Sequence, residues 1–353
     1  MKHLRSLDVI RGMAILMVLI WHYLPRDSSI PNYLVYSTRL FWSGVDMFFV
    51  LSGFLISSIL LENVQKRNYF QVFYARRSAR ILPLYVLVLI GFYCVLYINP
   101  RGLQEAFNDR LPIFAYLTFT QNLFYGFRQG FGDPWLDVTW SLAVEEQFYL
   151  FLSLLILKIS RRNLAIVSVI LILLAPVLRF FSSQYVAYVF PLHRADTLML
   201  GVLLALLWSS ESGKTFLVRN IGLFRWLFIA LLLIAGYLTF IDTEVGDAIG
   251  HFWLALLYGD VLVLGLVLNN ENTRSFLGDK FVEWLGLRSY GIYLLHKPIQ
   301  LLTPYLLLVI FRESFDRWIV ITISLCLLLT SAEISYRFFE KPIIELGRRY
   351  KYE

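Results

Sequence analysis

An arginine and a histidine eleven positions apart in one apolar stretch are the first residues of this sequence equipped for chemistry. Asp8, Arg11, Ile15, Val18 and His22 recur at steps of three and four, so on a helix they share one face. Eleven residues bring a helix to within about 20° of its starting direction and advance it about 16 Å. One helix would then carry a cation near one end and an imidazole near the other. With an unperturbed pKa of about 6.5, an imidazole suits general-base work near neutral pH. Asp8 lies fourteen residues from His22, about 21 Å along a straight helix, too far to orient it. Asp8 is expected to pair with Arg11 or a neighbouring arginine, and any carboxylate at the depth of His22 must come from another element. Asp46, Glu145 and Glu146 are candidates, with Arg194 and Asp196 at similar depth. Glu145 and Glu146 point about 100° apart on a helix, so only one can face a given site squarely. Blander readings stand beside these: His22 as an interfacial histidine reaching water, and Asp46 as a local hydrogen-bonding group within residues 42–45.

A second constellation follows. The run from Tyr74 to Pro83 places Arg76, Arg77 and Arg80 directly before an apolar stretch, with Arg76 and Arg80 one helical turn apart. Such a cluster serves as a topology signal or an anionic-lipid contact, or as a phosphate clamp, since guanidinium binds phosphate bidentately. With Arg11 it would make a polyanion dock at the mouth of a polar path toward His22. Trp140 could stack on a sugar ring or belong to an interfacial aromatic belt. His296 and Lys297 could hold substrate, or mark a break in a helix at Pro298. Helix-to-helix pairing is the expectation for Asp260, Glu333 and Arg337.

These residues need apolar elements to carry them, and the composition supplies those. Of 353 residues 58% are hydrophobic and only 16% charged, against roughly a quarter charged in a soluble domain. The fold class is therefore all-α, a polytopic membrane bundle of about ten helices. Expected spans are Val9–Leu24, Leu40–Leu61, Ile81–Ile98, Val138–Leu157, Leu164–Phe181, Val189–Trp208, Phe224–Ile241, Ala248–Leu268, Trp284–Phe311 and Trp318–Phe338. Pro112–Tyr125 is apolar but short and carries Thr118, Thr120, Gln121 and Asn122, so it is read as re-entrant or interfacial. With that choice nineteen of the 32 Lys/Arg fall on the side of the N-terminus and seven on the other. The positive-inside bias then makes both termini cytoplasmic; letting Pro112–Tyr125 span would invert everything after it. Residues 1–341 form one membrane domain and 342–353 a short basic tail. The N-terminal stretch from Met1 reads as a retained span, with no cleavage site after Tyr23. The net charge of +7 is dispersed between apolar stretches, which excludes a nucleic-acid partner. Two cysteines, Cys94 and Cys326, provide neither a disulfide framework nor a metal site.

At the residues named first, the sequence resembles the acyltransferase type 3 family of integral membrane acyltransferases. The likeness runs along nearly the whole chain. It rests on Leu7 to Gly12 with Trp21-His22, on Phe48 to Ile56, on Arg76 to Tyr85, on Trp140 to Tyr149, on Arg194-Ala195-Asp196, on Ser289 to Pro298 and on Glu340-Lys341-Pro342. Val9 departs from the family, where glycine is common. The resemblance implies transfer of an acetyl or other short acyl group from coenzyme A to a hydroxyl, on a surface polysaccharide, lipopolysaccharide or related acceptor. It implies that His22 is essential and that Arg11, Arg77 and Arg80 belong to the functional core. Acyl-CoA is then a co-substrate, with no permanently bound cofactor and no metal. In the mechanism drawn from both readings, Asp8, Arg11, Arg76, Arg77 and Arg80 hold the donor, and His22 acts as base with Asp46 or Glu145 orienting it. Trp140, Glu146, Arg194, Asp196 and His296 contact the acceptor or support the site. The expected partners are acyl-CoA, a carbohydrate or glycolipid acceptor and membrane lipid, in a multi-pass plasma-membrane protein for which a homo-oligomer is left open. The rival reading is a proton-coupled transporter with a His/Asp/Glu relay; no paired inverted halves favour it.

Overall fold

The structure, a computed structural model, describes residues 4–27, 30–98, 103, 107, 109–238, 244–268 and 280–353. Among these residues the chain is helical without strands. It begins with α1 (Arg5–Tyr23), α2 (Asn32–Ser37), a 3-10 turn at Arg39–Ser43, α3 (Gly44–Asn63) and α4 (Tyr69–Ile98). Two short helices, α5 (Ile113–Leu117) and α6 (Gln121–Arg128), occupy the stretch expected not to span. Then come α7 (Trp140–Lys158), α8 (Arg161–Phe180), α9 (Gln184–Val189), a 3-10 turn at Pro191–Arg194 and α10 (Ala195–Trp208). The remainder is α11 (Glu211–Arg219), α12 (Ile221–Leu238), α13 (Glu244–Val267), α14 (Lys280–Leu287), α15 (Ser289–Phe311), α16 (Arg317–Ser335), a π-helical turn at Tyr336–Glu340 and α17 (Lys341–Gly347).

Among the described residues, eight helical segments are long and apolar enough to cross a membrane, and a ninth counts if Pro191–Trp208 and α11, bent by 104°, form one span. Helix α12 adds a shorter apolar helix, so the tally matches the expected bundle of about ten. Met1 to His3 and the last residues of the Phe224–Ile241 span lie outside the described residues. One expected span differs: Trp284–Phe311 is broken at Arg288, where α14 ends and α15 begins.

Local chemistry sets several boundaries. The side chains of Ser160, Ser210 and Asp316 accept hydrogen bonds from Asn163 N, Gly213 N and Trp318 N, starting α8, α11 and α16 by satisfying otherwise orphaned amides. Pro83, Pro176, Pro298 and Pro304 sit inside helices, as membrane helices tolerate when neighbours re-satisfy the freed carbonyls.

Between membrane helices there is little hydrophobic driving force, so close packing needs small residues. A Cβ on Gly53 of α3 would fall 2.0 Å from the Leu198 carbonyl oxygen of α10. The same holds where α1 meets α14, for a Cβ on Gly286 would stand 1.7 Å from the Asp8 carbonyl oxygen. These contacts draw α1 and α3 into the middle of the bundle, where most of their residues are buried. Helix α12 exposes Leu223, Trp226, Ile229, Leu233 and Tyr237, the apolar face that lipid covers.

Candidate active site

Side chains of five helices, α1, α3, α4, α7 and α15, line a partly open cavity of about 120 Å³. Arg11, Arg77 and Arg80 line one part of it, and Glu145 and Tyr149 of α7 stand beside them. Along α3 the lining runs from Leu55 through Ser52 and Phe48 to Val45, ten residues or about 15 Å. The cavity is thus long, cationic toward one end and largely apolar elsewhere.

The cationic end is held by a chain of hydroxyls. Tyr149 donates to Glu145 Oε2 at 3.0 Å, which leaves the Tyr149 oxygen to accept from Ser52 Oγ at 2.6 Å. The Arg77 guanidinium lies over the Tyr149 ring, 4.9 Å from its centre. Arg11 donates to Asp8 at 2.9 Å, an i,i+3 pair within α1. Among the described residues neither Arg77 nor Arg80 forms an ion pair. Positive charge next to open space is what an anion would find there. Arg76 departs from this group: its guanidinium donates to the Tyr350 carbonyl at 3.0 and 2.6 Å and faces the Tyr352 ring, tying the tail to α4.

Toward the other end, Tyr293 connects the cavity to a pair of histidines. Its hydroxyl donates to the Val138 carbonyl at 2.8 Å and accepts from Ser141 Oγ at 2.7 Å. Its ring centre is 5.7 Å from that of His296, and His296 is 4.9 Å from His22. Nδ1 of His22 lies 2.9 Å from the Val18 carbonyl oxygen. A carbonyl only accepts, so Nδ1 carries the proton and Nε2 presents its lone pair. The backbone of α1 therefore orients this imidazole, where a carboxylate from another span was expected. Asp46 and Glu145 engage other partners.

Asp46 instead belongs to a closed cluster. Arg194 donates to its carboxylate, His251 Nδ1 is 3.4 Å from it, and Arg194 Nη1 lies 2.6 Å from the same His251 nitrogen. The guanidinium carbon of Arg194 sits 5.4 to 5.8 Å from the ring centres of Tyr188, Phe49 and Trp140. Trp42 meets His251 edge-on at 5.0 Å. Two residues on from Arg194, Asp196 accepts from Arg179 at 2.6 Å, and Arg179 also donates to the carbonyls of His193 and Ala248. All four charged side chains are buried.

Of the residues singled out in the sequence, Asp8, Arg11, Arg77, Arg80 and Glu145 gather around or against the cavity, and His22 meets His296. Asp46, Arg194 and Asp196 are taken into the closed cluster, and Trp140 is buried between Phe49 and Tyr188. Glu146 is adjacent to Glu145 but does not line the cavity. Glu333 pairs with Arg288 between helices, as expected, but Arg337 reaches the same Glu333 from four residues on in one helical run. Both carboxylate oxygens of buried Asp260 lack a hydrogen bond among the described residues, where a helix-to-helix pair was expected. Reading the sequence missed His251 and Arg179, although both carry the signal used elsewhere, an ionisable residue within an apolar stretch. It also left Ser52 and Tyr293 without a role.

Residues 4–337 match the model of an acyltransferase domain family. The chain is 30% identical, over 98% of its length, to the peptidoglycan O-acetyltransferase OatA of Listeria monocytogenes. It is 31% identical over 99% to the putative peptidoglycan O-acetyltransferase YrhL of Bacillus subtilis and 28% identical over 98% to the O-acetyltransferase OatA of Staphylococcus aureus. It covers 56%, 56% and 58% of these relatives, so it spans a little over half their length. No solved structure matches it.

Proposed function

This chain belongs to the acyltransferase domain family matched by its residues 4–337, and from that premise we propose that it is a membrane-embedded O-acetyltransferase that modifies a carbohydrate hydroxyl. Acetyl-CoA or another short acyl-CoA is the donor. Peptidoglycan is the acceptor that the relatives' names favour. The observation that carries the reading is the elongated cavity with Arg11, Arg77 and Arg80 at one end and Tyr293, next to the histidine pair, further along.

The donor's phosphates rest on the three arginines, whose planar forks bind phosphate oxygens bidentately. The pantetheine arm lies along α3, past Ser52 and Phe48, which line the cavity between the arginines and Tyr293. The thioester then approaches the histidine end. The acceptor hydroxyl gives its proton to Nε2 of His22 as its oxygen bonds to the thioester carbonyl carbon. The C–S bond breaks, and the imidazolium returns that proton to the departing thiolate. With the termini cytoplasmic, as the basic residues favour, the donor enters from the cytoplasm and the acceptor from the opposite face.

The test measures transfer of labelled acetyl from acetyl-CoA to peptidoglycan glycan fragments by the protein in membranes. His22→Ala is expected to abolish transfer while insertion and thermal stability hold. Unchanged transfer by that variant would sink the base assignment. Coenzyme A alone is expected to raise the melting temperature of the purified protein, as any ligand specific for the native state does.

A further inference from the structure

Where α1 packs against α15, a second imidazole is fixed in the same manner as the first. Nδ1 of His296 lies 2.6 Å from the Tyr293 carbonyl oxygen, so it too carries the proton and leaves a lone pair on Nε2. His296 is fully buried, and that Nε2 has no hydrogen-bond partner. A buried acceptor with no donor is desolvated without return. The groups around it are committed elsewhere. Tyr23 donates its hydroxyl to the His296 carbonyl at 3.1 Å, and Tyr293 donates to Val138. Lys297 is 3.5 Å from Asp137, Arg26 lies over the Trp21 ring at 3.5 Å, and the Gln300 amide donates to the His22 carbonyl. What remains facing His296 is the ring of His22, 4.9 Å away between centres and tilted by 53°. Each ring nitrogen stands about 1 Å from its centre, so this spacing allows an Nε2···Nε2 distance of about 3 Å, that of a hydrogen bond, once the rings turn toward each other.

We propose that His296 is a positioning residue that receives a hydrogen bond from His22 during transfer. Once Nε2 of His22 has taken the acceptor's proton, the ring turns so that this N–H meets the lone pair of Nε2 of His296, and the pair carries one Nε2 proton between its rings. Both rings bearing a second proton, on Nε2, would place like charges side by side in a buried site, so the pair holds one such proton. The acceptor O–H bond breaks, the N–H bond on His22 forms, and the same proton later leaves on the thiolate sulfur. His296 changes no bond to substrate. Its lone pair stabilises the imidazolium without adding a charge, since hydrogen bonds to an ionised donor are about twice as strong as neutral ones.

The inference rests on His22 being the base, and its test separates the two claims. The whole protein, labelled with 15N-histidine, contains only five histidines. Acidification is expected to produce a coupling between the Nε2 nitrogens of His22 and His296 across one shared proton. No such coupling at any pH where the protein stays folded overturns the proposal. In the acetyl-transfer assay, His296→Leu is expected to lower kcat about ten- to a hundredfold at constant KM for acetyl-CoA. His296→Gln, whose side-chain oxygen can accept where Nε2 did, should recover most of the rate; His296→Asn, which reaches only as far as Nδ1, should not. A His296→Leu rate within twofold of the parent, or equal losses in the Gln and Leu variants, also overturns the pairing. Full transfer by His22→Ala would overturn the base reading instead, while the coupling in the unsubstituted protein would still report on the pair.

Discussion

Two regions of this bundle hold arginines away from open solvent, one fully buried and one half-buried, and they do so in opposite ways. In one, Arg194 and Arg179 are each matched to a carboxylate, Asp46 and Asp196, and surrounded by rings and carbonyls. In the other, Arg77 and Arg80 border open space with no ion pair among the described residues, and Glu145 is occupied by a tyrosine hydroxyl. A buried charge is tolerated when it is paired and hydrogen-bonded. In the matched cluster each arginine has its carboxylate, although Asp46 Oδ2 and Arg194 Nε keep no hydrogen bond among the described residues, whereas the arginines of the cavity are left to be completed by an anion. Charge balance and free volume, more than the presence of charged residues, separate scaffold from site.

The largest test of this contrast breaks the closed cluster. Asp46→Asn leaves Arg194 uncompensated and should cost about 3–5 kcal/mol, the usual penalty for removing one partner of a buried pair. It would be seen as a lower melting temperature and less folded protein in detergent, with part of the loss recovered in Asp46→Leu combined with Arg194→Leu. A melting temperature equal to the parent's would erase the distinction. Next in size, Arg77→Ala with Arg80→Ala should leave folding intact and weaken coenzyme A binding about a hundredfold or more, at about 1.5–3 kcal/mol per charged hydrogen bond lost. Calorimetry with coenzyme A measures it, and a loss of stability in place of affinity would make the two regions alike. A smaller effect is expected from Glu145→Gln, which removes the carboxylate beside the arginines and should tighten coenzyme A binding about threefold by relieving repulsion of its phosphates.

How much of this could be read from the sequence depended on distance along the chain. The helices, the short pair α5 and α6, and the shared face of Arg11 and His22 follow from hydropathy and the 3.6-residue period, which are local. The Asp8–Arg11 pair, three residues apart, was legible for the same reason. The meeting of His22 with His296 was not, because it depends on how two helices 274 residues apart in sequence rotate against each other. The same limit applies to Asp46, for which depth alone allowed His22 as readily as Arg194. The break at Arg288 escaped because Gly286, two residues before it, reads in sequence as a single glycine within an apolar stretch, and its close contact with α1 involves residues far away in the chain.

The smallest expected effect sharpens the comparison from outside both regions. Asp133, in the segment between α6 and α7, is buried with no hydrogen bond to either carboxylate oxygen. Desolvation pushes its pKa up to about 6, partly offset by Arg110 and reinforced by Asp109. A folded-state value above the ordinary 3.8 favours the protonated form, so this group's stabilising contribution is full below about pH 4 and is lost as pH rises through about 6. Hydrogen-exchange protection factors of residues 129–137, corrected for the intrinsic pH dependence of exchange, should therefore rise modestly from pH 7 to pH 5, and Asp133→Asn should remove that rise. Equal pH dependence in both proteins would mean that the lack of a partner has no energetic consequence there.

The bonds inside α1 also bear on how the protein is made. Asp8 with Arg11, and His22 with the Val18 carbonyl, are contacts within a single helix. The costliest charge of α1 is matched, and its imidazole tautomer set, as soon as that helix winds. This span can therefore enter the bilayer during synthesis with that charge already paired, long before α15 leaves the ribosome. Assembly then has only to bring the second imidazole to a first that is already aimed.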